Sequence, residues 1–324
     1  MKRARKATVV AGLGCLVLLY SVFSSGSREG SEFLETTARM RGPVPYDDPD
    51  LLRYVRQGFL SPPSDLPYNL VQDHAQVRME AKKYTSYVGE FGYVFFARVL
   101  REIFGGTRGG FFVEAGALDG EFLSNTLLLE RDLGWTGLLV ESNGDSFKEL
   151  LTKRRKAWAS HSCLAAHEYP HEDFLVKFRR EHSAIDTYEN RAASAHSMMM
   201  SHDRGAAMDN SLPGHREYER VQCLPLATLL LAIDVTHVDL VSLDVEGAEM
   251  GILRHFPWGR ITVDVWLVEH GGHGRKEENN YDSDFIQMFS DRGYELYSAN
   301  DDASINYVFV LRSSKVYSRL KPTV

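Results

Sequence analysis

From Phe111 onward the chain repeats one pattern: a short unbroken apolar run, a turn, then a segment with apolar residues at helical spacing. The apolar runs cover residues 111–114, 137–140, 158–164, 238–243 and 263–268. A strand with one wet face alternates apolar and polar residues, so continuous runs of this length belong to strands covered on both faces. Helices are expected over 124–133, 145–155, 226–233, 250–255 and 285–291. Alternating β and α units predict an α/β fold with a doubly wound, mostly parallel sheet. Runs at 294–298 and 305–311, joined through Asn300-Asp301-Asp302, are expected to close it with an antiparallel edge hairpin.

The flanks read differently. Asp48 as N-cap and Pro49 at the first helical position predict a short helix through Leu60, stopped by Pro62-Pro63. A second helix is expected over 72–104, ended by Gly105-Gly106. Residues 46–110 are therefore read as a helical N-terminal extension and 111–313 as the α/β domain. Residues 165–220 break the alternation: they are polar, contain Met198-Met199-Met200 and place their histidines at no metal-ligand spacing. They are expected to form an inserted lid or interaction loop.

The N-terminus opens on KRARK at 2–6, followed by seventeen apolar residues from Ala7 to Phe23. That length is the short end of what spans a bilayer. No positive excess follows the run, so residues 1–6 are expected in the cytosol and the rest of the chain in the lumen. The preferred reading is an uncleaved signal-anchor transmembrane helix at 7–23 with a stem at 24–45. A signal peptide cleaved near Ser24-Ser25-Gly26 is the alternative. Either places the domain in an oxidising compartment, where Cys163 and Cys223 can pair; two buried free thiols are the other possibility. The net charge of -7, with no arginine-rich or basic-aromatic stretch, argues against a nucleic-acid partner.

Doubly wound sheets bind ligands beyond the carboxyl ends of their strands. The first strand ends in Glu114-Ala115-Gly116-Ala117-Leu118-Asp119-Gly120. Gly116 and Gly120 permit sharp turns and close backbone approach, but their GxxxG spacing is not a pyrophosphate cradle. A carboxylate beside such a turn suits a ligand with a cationic end, such as S-adenosylmethionine (SAM). The second strand ends in Glu141, about 20 residues beyond the glycine turn, which is the spacing of an acid that accepts hydrogen bonds from ribose hydroxyls. A later strand ends in Asp244-Val245-Glu246-Gly247-Ala248-Glu249, and the next in Glu269-His270. Asp244 is expected at the methionyl end of SAM or at the acceptor, with Glu246 as base or hydroxyl anchor. The His270 imidazole suits proton removal from an alcohol. Each of these acids also admits a plain reading as a solvated turn residue. No metal is expected, since Asp244, Glu246 and His270 or His273 show no ligand spacing.

The strings FFVEAGALDGEFLSNTLLLERDLGWTGLLVE, VQCLPLATLL and DLVSLDVEGAEMGIL resemble the FkbM-type methyltransferase domain, over about 111–311, and DVEGAE is the most specific of them. Within that family the N-terminal anchor and YDDPDLLRYVRQGFLSPPSDLPYNL are similar to the arthropod transmembrane Star group. The family resemblance implies a Rossmann-like fold of the class I SAM methyltransferase type. In it Glu114, Gly116, Asp119, Gly120, Glu141, Asp244 and Glu246 match the SAM motifs. Ala115, Leu118 and Ser142-Asn143-Gly144 depart from those motifs. The Star resemblance implies a type II membrane protein of the endoplasmic reticulum, Golgi and endosomal system. Its implied role is to assist endoplasmic reticulum to Golgi transport of a membrane cargo such as an EGF-receptor ligand precursor. That reading is preferred at this level, with an active SAM-dependent O-methyltransferase as the alternative.

The topology has a direct test. Protease added to intact microsomes should leave residues 24–324 undigested. Digestion of the α/β domain without detergent would overturn the type II orientation.

Overall fold

The apolar runs assemble as one eight-stranded sheet. The computed structural model describes residues 40, 42–71, 92–179, 198–199, 215–270, 281–301 and 305–320. The expected anchor and stem, and residues 72–91 of the second expected helix, lie outside them. None of the described helices is long and apolar enough to cross a membrane.

In chain order the elements are α1 (Pro49–Gly58), β1 (Leu60–Ser61), α2 (Gly92–Phe104), β2 (Phe111–Ala115), α3 (Leu127–Leu133), β3 (Thr136–Glu141) and α4 (Gly144–Thr152). Then come β4 (Trp158–His161), β5 (Cys163–Leu164), β6 (His171–Arg179), β7 (Met198–Met199), β8 (His215–Leu224), α5 (Leu226–Ala232) and β9 (His237–Leu243). The chain ends with α6 (Glu249–His255), β10 (Thr262–Glu269), α7 (Ser283–Ser290), β11 (Tyr294–Asp301), β12 (Ile305–Leu311) and α8 (Lys315–Leu320). The main sheet has the order β1-β4-β3-β2-β9-β10-β12-β11. Its five central strands, β4 to β10, are parallel. Strands β12 and β11 close one edge as the expected antiparallel hairpin. The chain winds outward from β2 to β4 and then returns to β9, so the topological switch lies between β2 and β9.

Successive side chains point to opposite faces of a strand, and two cores result. Val113, Val140, Val241, Leu243 and Trp266 lie in one, under α1, α5, α6 and α7. Phe112, Leu139, Leu240, Val265 and Leu267 lie in the other, covered by Phe95, Val99 and Ile103 of α2.

Several expected boundaries move, each for a local reason. The first helix has its Asp48 cap, whose carboxylate accepts the Asp50 and Leu51 N–H groups, but it stops at Gly58. Leu60 instead pairs with Ser160 as an edge strand on β4, so the N-terminal extension completes the sheet. Helix α3 begins at Leu127 rather than Ser124, because Ser124, Asn125 and Thr126 are all hydrogen-bonded to Glu114. Asn300 and Asp301 belong to β11 and are not turn residues.

The insertion shows the largest difference. Its described parts form a second sheet, β5-β8-β6-β7, in which β6 and β8 pair antiparallel along nine residues. The expected strand 158–164 is accordingly split between the two sheets. Residues 180–197 and 200–214 of the insertion lie outside the described residues. Charged residues such as Glu172, Lys177, Glu217 and Arg220 interrupt the apolar residues of β6 and β8, which is why the segment reads as loop. Its own core is small: Cys163, Ala165, Leu175, Met199, Val221 and Cys223.

Cys163 and Cys223 are joined by a disulfide across adjacent strands, with Cα atoms 4.3 Å apart and a sequence separation of 60. A loop of that length is worth about 4 kcal/mol in the chain-entropy account. Replacing both cysteines by alanine should lower the urea midpoint by an equivalent amount. A loss below about 1 kcal/mol would show that the bridge does not constrain the unfolded chain.

Candidate functional site

The carboxyl ends of β2, β3 and β9 surround a crevice at the topological switch. Gly116, Leu118, Val140, Glu141 and Ser142 line one side, and Asp244, Val245, Glu246 and Ala248 another. Ser162, Cys163, Leu164, Leu175 and Met199 form the third wall, so the second sheet completes the site. The crevice holds about 700 Å³ of empty space, part of it open to solvent.

Gly116 sits at φ +85°, and a Cβ there would lie 2.0 Å from the Asp244 carbonyl oxygen. The sequence reading had a ligand approach this glycine; the structure brings the backbone of a neighbouring strand end to it. Gly116 and Ala117 both donate to the Val140 carbonyl, at 3.0 and 3.1 Å. Asp244 N–H donates to Ala115 at 3.2 Å. These bonds lock the ends of β2, β3 and β9 together.

Glu141 is buried, and its two oxygens accept the Leu118 N–H at 2.7 Å and the Asn143 N–H at 2.6 Å. Burial pushes its carboxyl up to about 7 despite those bonds. Asn143 then caps α4 through Asp145 and Ser146. Lys177 and Glu219 hold the second sheet to this corner: Lys177 Nζ lies 3.0 Å from Glu219 and 3.3 Å from Asp145, and Gly144 N–H donates to Glu219 at 3.3 Å.

Three of the expected cofactor residues are not in the crevice wall. Glu114 accepts from Ser124 Oγ at 2.8 Å, Asn125 N–H at 2.7 Å and Thr126 Oγ1 at 2.5 Å. Asp119 accepts from the Glu121 and Phe122 N–H groups. The Gly120 carbonyl accepts from Arg155. All three shape the turn that carries Gly116 and Leu118.

The end of β9 concentrates negative charge. Asp244 is hydrogen-bonded to Glu269, and burial together with the Glu269, Glu246 and Glu249 carboxylates holds its carboxyl well above the usual range. Glu249, assigned no role from sequence, accepts from the Val245 and Gly247 N–H groups at 3.1 Å and fixes the turn. Burial pushes it up to about 7 as well. Glu246 reaches the crevice from a left-handed backbone at φ +58°.

His270 does not join the site. Its ring stacks on Phe285 at 4.1 Å, and Nε2 lies 3.4 Å from Asp282, the cap of α7. The Asp282 carboxylate, immediately before the first residue of that helix, thus holds the imidazole beside α7. Leu175 and Met199 were not anticipated, and the second sheet brings them in; Ser162, also not anticipated, lies between β4 and β5.

Glu141 and Glu249 have folded-state carboxyls near 7, above their unfolded values. Their contribution to stability is therefore full below about pH 4 and is lost as pH rises through about 7. The thermal midpoint should fall between about pH 5 and about pH 8, and Glu249→Gln should flatten that fall. An unchanged slope in the variant would contradict the assignment. Gly116→Ala should destabilise at every pH, by the left-handed strain and the contact with Asp244 together.

The methyltransferase FkbM domain profile matches residues 114–296. Among solved structures, a TehB-like SAM-dependent methyltransferase from Corynebacterium glutamicum is 12% identical, covering 74% of this chain and 96% of its own, at a TM-score of 0.31. A candidate RNA methyltransferase from Pyrococcus horikoshii is 10% identical, covering 74% of this chain and 99% of its own, at a TM-score of 0.32. No curated protein sequence matches the chain. The profile spans more than half of the chain, and the strand-end residues just described fall within it: the chain belongs to the methyltransferase FkbM domain family.

Proposed function

We propose that the crevice binds SAM and that the domain transfers its methyl group to a hydroxyl acceptor. The observation that carries this reading is the convergence of Gly116, Glu141, Asp244 and Glu246, from three different strand ends, on one crevice. The donor set fits the cofactor. Glu141 accepts the Leu118, Asn143 and Ser142 N–H groups, and its two oxygens together keep a fourth lone pair to offer a ribose hydroxyl. The Glu246 carboxylate supplies negative charge for the ammonium and sulfonium, and Leu175 and Met199 supply an apolar wall for a flat base. SAM provides an activated methyl group on sulfur. The chain's own part is to orient the acceptor and take its proton at the Glu246 carboxylate. His270, turned to Asp282, takes no part in this scheme.

A second reading is a Star-like type II membrane protein that assists endoplasmic reticulum to Golgi transport of a membrane cargo such as an EGF-receptor ligand precursor. Two observations favour it. Among the described residues no imidazole lines the crevice, and Phe174 and Tyr218 stand 47% and 57% exposed on the second sheet, the kind of surface that meets a protein partner. Its anchor, its lumenal orientation and its location rest on the sequence.

Calorimetry of the full chain with SAM separates the two. Under the first reading the chain binds SAM, and Glu141→Gln, which keeps one of the two accepting oxygens and the side-chain volume, weakens binding about tenfold or more. Normal cargo export with no SAM binding by the unmutated chain would overturn the methyltransferase reading and favour transport.

A further inference from the structure

We propose that Cys163, Cys223, His171 and Asp173 form a zinc site that their disulfide masks and that reduction opens. The site is independent of the methyl-transfer reading.

The second sheet places these residues in one patch. Strand β8 lies between β5 and β6; Cys223 is directly opposite Cys163 on one side and His171 on the other. Directly paired residues share a sheet face, and Asp173, two residues beyond His171, falls on that face too. One ligand atom each from His171, Asp173 and Cys223 lie within 4.8 Å of one another. Donors on a tetrahedral zinc at about 2.0–2.3 Å from the ion are little closer than that, so small side-chain rotations suffice. The Cys163 sulfur is bonded to that of Cys223 and cannot be far from the same point.

The surroundings suit a closed site. Both cysteines are buried, in the small core of the second sheet. The His167 ring packs edge-on against His171 at 5.1 Å, and one Asp173 oxygen accepts the Phe174 N–H at 2.7 Å, which holds both ligands from behind. Two thiolates, an imidazole and a carboxylate select zinc over magnesium or calcium. The four ligands come from three strands, with Asp173 and Cys223 separated by 50 positions, so no local motif announces them.

The redox step balances. A dithiol reductant gives up two electrons and two protons and becomes a disulfide; the Cys163–Cys223 bond breaks and each sulfur gains a proton. Zinc then displaces both protons to solvent and binds the two thiolates.

The test uses the full chain in mild detergent, with Cys15→Ser to remove the third thiol, and Co2+ as the probe. After reduction by a phosphine and anaerobic removal of the excess, the chain should take up one equivalent of Co2+. It should show the strong visible bands of a tetrahedral ion and a thiolate charge-transfer band, both lost on adding Zn2+. The oxidised chain should show neither. His171→Gln and Asp173→Asn leave the disulfide intact for folding, and each should weaken Co2+ binding at least about tenfold after reduction. A reduced chain with both thiols open to alkylation but without the tetrahedral spectrum would overturn the proposal. So would two variants that bind as the parent does.

Discussion

The βα turn that carries the crevice depends on a buried lattice of charges. Arg155 and Glu130 meet at 3.0 Å with side chains 2% and 0% exposed, and Lys153 reaches Glu121 at 2.9 Å under similar burial. Removing such charges from water costs several kcal/mol each and is offset only where the pairing is close and the remaining groups are bonded. Here they are. Arg155 also donates to Gly120, Ser124 and Thr126, and Lys156 N–H donates to Glu130. The segment after β1 closes the outside: Ser64 and Asn69 donate to the Arg155 and Lys153 carbonyls, and Val71 to Glu121. Burial and the Glu130 charge together push the Tyr68 hydroxyl up. Removing one partner of such a pair leaves a buried charge uncompensated, so the lattice ties the turn between β2 and α3 to α4 and to the segment that follows it.

That turn explains why Glu114 and Asp119 are internal. A carboxylate that accepts three donors from 124–126 is a fastener, and its place at the end of β2 lets it hold the start of α3 against the sheet. The carboxylates that line the crevice are Glu141 on one side and Asp244 and Glu246 at the β9 end on the other. Two of the non-glycine residues in left-handed conformation, Leu118 and Glu246, are in the crevice wall. Strain of this kind persists only where neighbours over-determine the backbone, and it gathers at sites with a function. The crowding of Asp244, Glu246, Glu249 and Glu269 has the same character: it costs stability at neutral pH and leaves the site matched to a cation.

Both functional readings rest on one architecture. The main sheet presents the acids; the second sheet, fastened through Lys177, Glu219 and the disulfide, covers them on one side and offers Phe174 and Tyr218 on its far side. Family membership settles the fold, and fold alone does not choose between methyl transfer and recognition.

What was legible in the sequence was local. Unbroken apolar runs marked each buried strand, and Asp48-Pro49 marked a helix start. Gly116, Glu141, Asp244 and Glu246 could be placed at strand ends by counting along the chain, because strand period and βα turn chemistry act over a few residues. The rest depended on contacts between distant residues. The polar β6 and β8 read as loop because each is a strand only against the other. Glu114 looked ligand-facing until Ser124 and Thr126 closed on it, and His270 looked catalytic until α7 brought Asp282 and Phe285 to it. The pairing of Cys163 with Cys223, left open by their spacing, was decided when β5 and β8 became neighbours. A side chain's position along the chain determines which strand end it occupies; only the packed structure decides which partner reaches it first.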